Sequence, residues 1–463
     1  MVDTLLSSLT KILGPENVIL GDGLNDRYDH VWNMEAPLKA KAVVIPFHAE
    51  QISEIMASCN ACKQPVIVHG GLTNLVGSTE STIDDLVISM EMFNSILEVD
   101  KSSRTMTVQS GVILQNIQEA AQSNDLFFPL NFGAKGSAQI GGCISTNAGG
   151  LRVLRYGMTR NLVLGLEVVL PDGTILSSIK KILKDNSAYD LKQLFIGSEG
   201  TLGIVTKAVL RLQELPKSRN SAFVAFNDFE KIINFLKFID KGLSGALSGF
   251  ELIWKSTFQK LTTPPSLLKA PMPYDYNFYV LIESLGADQM KDKSIMQNLM
   301  EQALENELIE DGILADSEAD LNWFWNIRED VGVIDNAYPA SQHFDVSLPI
   351  PEIGDYVDKV ILNLKTDLNI TDAFAFGHMA DGNIHFIVGK DSDDKKLREA
   401  INDIIYSPLT ALKGSVSAEH GIGLHKKHKL PICRTAEEIQ TMKLIKRTLD
   451  PNNILNRGKV LDI

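Results

Sequence analysis

The chain has 463 residues, 44% hydrophobic and 22% charged, which suits a soluble globular protein of two or three domains. Lys and Arg number 44 against 58 Asp and Glu, a net charge of −14, so a phosphate-backbone partner is disfavoured and no nucleic acid is expected. No window approaches eighteen apolar residues, four cysteines make no disulfide scaffold, and MVDTLLSSLTKILG is neither a cationic signal start nor an Arg-rich transit segment; a cytoplasmic protein that is not transmembrane is expected.

The first forty residues read as a helical lead-in and a loop. From Ala42 the pattern is strand (AVVIPF), helix (about Glu50 to Lys63) and strand (PVIVHGG), which indicates an α/β unit. Ile52, Ile55, Met56, Cys59 and Cys62 share one helical stripe, so both thiols of this C-x-x-C are expected to pack against a sheet rather than bind metal. Directly after the second strand comes a glycine-rich loop, His69 to Ser78, placed where phosphates could be cradled. SILEVD and TMTVQSG read as strands, Leu114 to Gln122 as a helix with Ile117 and Ala121 inward, and LGLEVVLPDGTIL as a hairpin turning at Pro171-Asp172-Gly173.

Between these lies the densest stretch of the chain. Gly133, Gly136, Gly141, Gly142, Gly149 and Gly150 fall within eighteen residues, interleaved with Ser137, Ser145, Thr146 and Asn147. Each glycine alone suits a tight turn; together with short polar side chains they suit a wrapped pyrophosphate. No G-x-G-x-x-G lies between a strand and a helix, which disfavours a Rossmann nicotinamide site. Composition shifts at Leu215-Pro216, and residues 221 to about 420 read as a separate α+β domain.

That second region carries the candidate chemistry. GHMADGNIH puts His378 and His385 seven residues apart across an Asp381-Gly382-Asn383 turn, and SVSAEHGIG offers Glu419 beside His420. Two His and one Glu leave open positions on Zn²⁺ or Mn²⁺; the plainer alternative is hydrogen bonding within a turn. Arg328 could grip a carboxylate through its fork, or be a surface charge on a helix.

GAKGSAQIGGCISTNAGGLRVLRYG, KDNSAYDLKQLFIGSEGTLGI, FDVSLP, GHMADGNIHF, SVSAEHGIG and DPNNILNRGK resemble, in order, the FAD-dependent D-2-hydroxyacid dehydrogenases of the vanillyl-alcohol-oxidase and p-cresol-methylhydroxylase superfamily, the 2-hydroxyglutarate enzymes most of all. The resemblance implies an α+β protein: a two-subdomain FAD-binding domain (1–216, core about 40–216), a substrate cap (217–420) and a C-terminal segment (421–463) returning to the flavin. It implies FAD contacts at Gly70, Gly71, Leu72, Thr73, Asn74, Gly77, Gly136, Ser137, Gly141, Ser145, Asn147, Gly149, Ile204 and Asn456. It also implies a divalent metal, zinc in such enzymes, on His378, His385 and Glu419, with His420 as catalytic base and Arg328 and Asn383 on substrate. FAD is expected to be noncovalent, with His69 near phosphate or ribose. An electron-transferring flavoprotein or a quinone is implied as acceptor, and a homodimer is compatible.

Two positions depart from the 2-hydroxyglutarate pattern. His343 stands where those enzymes typically have Lys, and Gly332 where they often have Thr, both toward the substrate's distal carboxylate. A shorter or uncharged D-2-hydroxy acid such as D-lactate therefore stays open beside D-2-hydroxyglutarate. A metal hydrolase would leave the glycine-rich stretch without work, and a flavin-binding module would bind FAD without turnover.

Overall fold

The structure is a computed structural model that describes residues 2–24 and 38–463. Most of the loop expected before Ala42 lies outside the described residues. The chain divides into two units: the first takes residues up to Gly149, Gly157–Leu215 and Glu419–Ile463, the second Gly150–Tyr156 and Pro216–Ala418.

In the first unit, Ala42–Val44, Leu86–Ser89 and Val66–His69 form a parallel sheet, with Val18–Ile19 added antiparallel at one edge. The helix Ala49–Cys62 makes the crossover from Ala42–Val44 to the parallel strand Val66–His69, with Leu86–Ser89 between them. Ile52, Ile55, Met56 and Cys59 pack in one core with Val44, Val66 and Leu86, and burial pushes the Cys59 thiol up to about 12. The expectation that both thiols pack inward fails for Cys62, which is exposed because it closes the helix just before Lys63 turns left-handed.

A second, antiparallel sheet runs in the order Ile96–Asp100, Thr105–Gln109, Ile204–Arg211, Val163–Val169 and Ile175–Ser178. Gly173, at φ +93, makes the expected hairpin turn between the last two strands. Its bare Cα also lets the turn sit on the crossover helix, since a Cβ there would meet Ser53 O at 2.6 Å.

The last residues of the chain return to the parallel sheet. Val66 N donates to Ile454 O and Asn456 N to Val66 O, both at 2.8 Å, so residues 454–456 cover the edge of Val66–His69. The turn that makes this possible is held by buried Lys446, whose Nζ donates to Asp450 Oδ2 (2.5 Å), Thr201 O and Leu455 O (both 2.8 Å).

The second unit is built on one antiparallel sheet of seven strands. Its order is Asp311–Leu314, Ser218–Phe226, Phe278–Gly286, Leu247–Trp254, Ala373–His378, Asn383–Lys390 and Ala340–Ser347. The middle strands are buried almost throughout, and Phe223, Phe258, Tyr279 and Phe324 anchor the core on one side. The excursion Gly150–Tyr156, which the sequence reading leaves in the FAD-binding domain, belongs to this sheet. Arg152 Nε pairs with the fully buried Glu283 at 3.2 Å and Arg155 donates to Leu285 O at 2.5 Å. Among the described residues no helix is long and apolar enough to cross a membrane.

Removing a buried charge's partner leaves the other charge uncompensated, at a cost of about 3–5 kcal/mol. Lys446→Met should therefore lower the urea midpoint read by circular dichroism; an unchanged midpoint would show that the C-terminal return does not depend on this clamp.

Candidate active site

Two glycine-rich segments meet in the first unit. A Cβ on Gly71 would lie 2.1 Å from Ser137 O and 2.9 Å from Gln139 N, so the two loops can touch only because residue 71 is glycine. Gly141 is equally constrained against Ser110, whereas Gly136 and Gly142 are exposed and the space a Cβ on Gly142 would fill is open. Around this opening, Gln139 Oε1 and Ser110 Oγ are buried with no hydrogen-bond partner in the protein. Such a lining of bare backbone and unsatisfied polar atoms fits a polar ligand rather than a side chain.

The other expected cofactor residues shape this region. Leu72 is left-handed at φ 55 and Gly77 at φ +69, while Asn74 ties the loop by accepting from Ser78 N at 3.0 Å and donating to Thr79 Oγ1 at 2.7 Å. Thr73 lies half-buried between them. Asn147, at φ 52, ends the helix Ile140–Thr146, which carries Ser145, and its Oδ1 accepts from Arg160 N at 2.9 Å; Gly149 follows, buried. Ile204 has its side chain in the core, so its backbone is what it can offer a ligand. His69, expected near phosphate or ribose, is buried with Nε2 bonded to Thr79 O at 2.8 Å, and burial pushes its imidazole down to about 4.

A carboxylate the sequence reading passed over joins these loops to the C-terminal return. Buried Glu199 accepts from Ser78 Oγ (2.7 Å), Ile422 N (2.7 Å) and Gly423 N (2.8 Å), and its own carbonyl accepts from Asn456 Nδ2 (2.8 Å). Asn456 Oδ1 in turn accepts from Val68 N at 3.0 Å, so this amide is engaged by the protein on both sides. Burial raises the Glu199 carboxyl above its usual range even with three donors on it. Glu419 and His420 stand at the start of the segment that Glu199 holds.

In the second unit, strand register gathers the remaining candidates. Glu251 lies directly opposite His378, Asp345 opposite His385, and Phe376 opposite His385, so these side chains share one face of the sheet. The turn between the two His strands needs Gly382, at φ +83, where a Cβ would strike Leu348 O at 2.5 Å. The two imidazoles come within 5.4 Å centroid to centroid, edge to face, and their ligand nitrogens lie within 4.8 Å of each other. Spacing alone left open a simple turn; the hairpin instead aims both rings at one point.

Behind the rings stand buried carboxylates. Glu251, fully buried, accepts from His378 Nδ1 at 2.6 Å and from Arg328 Nε at 2.7 Å. Burial pushes its carboxyl up, but His378 and Arg328 outweigh that and bring it down to about 2. Asp345, also fully buried, lies 3.7 Å from His385 Nδ1 and accepts from Asn383 Nδ2 at 2.7 Å and Ala418 N at 3.1 Å.

Arg328 is 6% exposed and rests over Phe376 at 4.8 Å, which removes the surface-charge alternative. Its position follows from the helix Glu318–Glu329, started by a Ser317–Asp320 capping box. Asn383 donates through Nδ2 to Asp345 and Val346 O, and its Oδ1 is buried without a partner, an acceptor suited to a hydroxyl. His343, on the same strand face as Asp345, is bonded through Nε2 to Asp335 at 2.6 Å, and Ser341 Oγ donates to the same carboxylate at 2.7 Å.

Sequence reasoning missed Glu199, Glu251 and Asp335 and gave Asp345 no role. The available signal was a lone acid inside an otherwise apolar strand, as in FELIW for Glu251.

Comparison with known proteins agrees with this architecture. Residues 215–460 match the C-terminal domain of FAD-linked oxidases, and residues 40–178 match an FAD-binding domain. The chain is 36% identical over 461 residues to a putative mitochondrial D-lactate dehydrogenase of Schizosaccharomyces pombe, covering 98% of this chain and 86% of that one. It is 34% identical to a mitochondrial D-2-hydroxyglutarate dehydrogenase of Arabidopsis thaliana, covering 98% and 81%. Its fold aligns with p-cresol methylhydroxylase at a TM-score of 0.75 and 16% identity, covering 99% and 96%. The chain belongs to the FAD-linked oxidases, with FAD as cofactor and the mixed α+β fold of the p-cresol-methylhydroxylase type.

Gly71→Ala should abolish FAD loading, because the methyl group and the Ser137 carbonyl cannot share the space. The flavin absorbance per protein measures this, and full occupancy in that variant would mean that the two loops need not touch.

Proposed function

We propose that the protein oxidises a D-2-hydroxy acid to the 2-oxo acid. The observation that carries this reading is the single sheet face bearing His378, His385 and Asn383, with Glu251 and Asp345 behind them and Arg328 brought onto it from the helix Glu318–Glu329. Two buried carboxylates stand beside one buried guanidinium on this face, and two imidazoles on it offer nitrogen ligands, which together suit a divalent cation, with Glu419 as the third ligand that the family resemblance implies. Bound FAD supplies the acceptor for the hydride that leaves C2, and the divalent ion, zinc in this reading, supplies positive charge that lowers the pKa of the 2-hydroxyl.

The chain's own residues do the rest. Arg328 has Nε on Glu251, so its terminal amino groups meet the substrate carboxylate and fix which hydrogen of C2 is presented. Asn383 Oδ1 accepts from the substrate hydroxyl, and the His420 imidazole takes its proton as the C2–H bond breaks. An external acceptor, an electron-transferring flavoprotein or a quinone, would take up the two electrons released by the oxidation.

The relatives' names include both D-2-hydroxyglutarate and D-lactate dehydrogenases. One observation favours a substrate whose far end is uncharged. Asp335 faces His343, and although burial raises its carboxyl, the His343 hydrogen bond lowers it overall, so an acid already engages His343 where a distal carboxylate would sit.

Anaerobic mixing with D-2-hydroxyglutarate, D-malate and D-lactate, each with and without chelator, tests the reaction directly. Chelator-sensitive bleaching of the flavin by at least one acid is expected, and Glu419→Ala should keep FAD yet lose turnover; undiminished turnover in that variant would sink the metal-assisted mechanism. His343→Lys should lower KM for the dicarboxylates about tenfold, roughly 1.4 kcal/mol, and leave D-lactate unchanged. An equal effect on D-lactate would defeat the distal-end account.

A further inference from the structure

We infer that Glu251 is a positioning residue that couples His378 to Arg328, so that affinity for the divalent ion and affinity for the substrate carboxylate are set by one side chain. This rests on the reading of His378 as a metal ligand and of Arg328 as the carboxylate grip.

The geometry is specific to that task. The strand Leu247–Trp254 is buried at every position, and Phe250, Leu252 and Ile253 around Glu251 are apolar. An ionised carboxylate is an expensive choice there, and an apolar residue of similar volume would serve packing as well or better. The charge is retained with each oxygen given to a different partner, Oε1 to His378 Nδ1 at 2.6 Å and Oε2 to Arg328 Nε at 2.7 Å. The first bond fixes the imidazole with its proton on Nδ1, which makes Nε2 the ligand nitrogen. The second holds the guanidinium by its inner nitrogen and turns the terminal pair outward. Register places Glu251 opposite His378, while Arg328 arrives from a helix between the strands in sequence, so only the folded sheet brings the three together.

Asp345 behind His385 is built differently. Asn383 Nδ2 at 2.7 Å and Ala418 N at 3.1 Å hold it, and the imidazole stands farther off at 3.7 Å. Its neighbours fix Asp345, whereas Glu251 does the fixing for both of its neighbours. The two carboxylates therefore have separable consequences, and Glu251 is the one through which ion and substrate binding are linked.

The test uses the FAD-loaded full chain with zinc as the probe. In Glu251→Gln the amide oxygen can accept from one partner only and its NH2 opposes the other. FAD content should match the wild type, while the zinc Kd from chelator competition rises about 10–100-fold and KM for the bleaching acid rises about tenfold. In a His378→Ala background the same substitution should add nothing to the loss of zinc. Should Glu251→Gln not load FAD, Glu251→Asp carries the test, since it keeps the charge but is one methylene too short to reach both partners. Zinc Kd and KM both within about twofold of wild type in the variant that loads FAD, even with a lowered Tm, would overturn the inference. His378→Ala separates the two levels: if it keeps wild-type zinc affinity, the ligand reading itself fails, and if it loses zinc while Glu251→Gln does not, the coupling alone fails.

Discussion

Carboxylates buried within one sheet are the constraint on which the second unit's site depends. Glu251 and Asp345 have no exposed surface, and a buried charge persists only where donors surround it. Each therefore dictates what stands beside it: an imidazole and a guanidinium for Glu251, an amide, a backbone N–H and an imidazole for Asp345. The sheet register supplies those neighbours without any further device, because residues directly opposite on antiparallel strands are the ones that meet. In the proposed reading, ligand nitrogens, substrate grip and hydroxyl acceptor thus inherit their orientation from two acids that the reaction itself need never touch.

The first unit solves a different problem, how to bring backbone close to a large polyanionic cofactor. Its answer is contact between loops that any side chain would hold apart, at Gly71 against Ser137 and at Gly423, where a Cβ would lie 2.2 Å from Val76 O. Glu199 then joins the loops, taking a hydroxyl from the first glycine loop and two backbone N–H groups just after His420. His420, the proposed base, is carried on this C-terminal return, and a loop held only by its own backbone would not keep an imidazole in place.

Between family membership and substrate lies a small set of side chains. His343 stands along the same strand face as Asp345, and Asp335, reaching in from the helix Gly332–Asp335, accepts from Ser341 and bonds to His343. In the proposed reading, this group at the substrate's far end is what separates one D-2-hydroxy acid from another.

The sequence by itself determined the elements and the family: the parallel crossover unit, the hairpin at Gly173, the helix Leu114–Gln122 and the His-Asp-Gly-Asn-His hairpin were all readable from local pattern and turn chemistry. It also supplied the residues that chemistry needs, since His, Arg and Glu beside glycine turns announce themselves. What only the tertiary structure decided was which of them are buried and what stands behind them. That Arg328 is interior, that residues 150–156 join the second sheet, and that Glu251, Asp345 and Glu199 organise the candidates all depend on pairings between residues 38 to 224 positions apart. Periodicity in a sequence reports which face of an element turns inward; it carries no information on which distant strand will lie opposite, and that is what places a donor beside a buried charge.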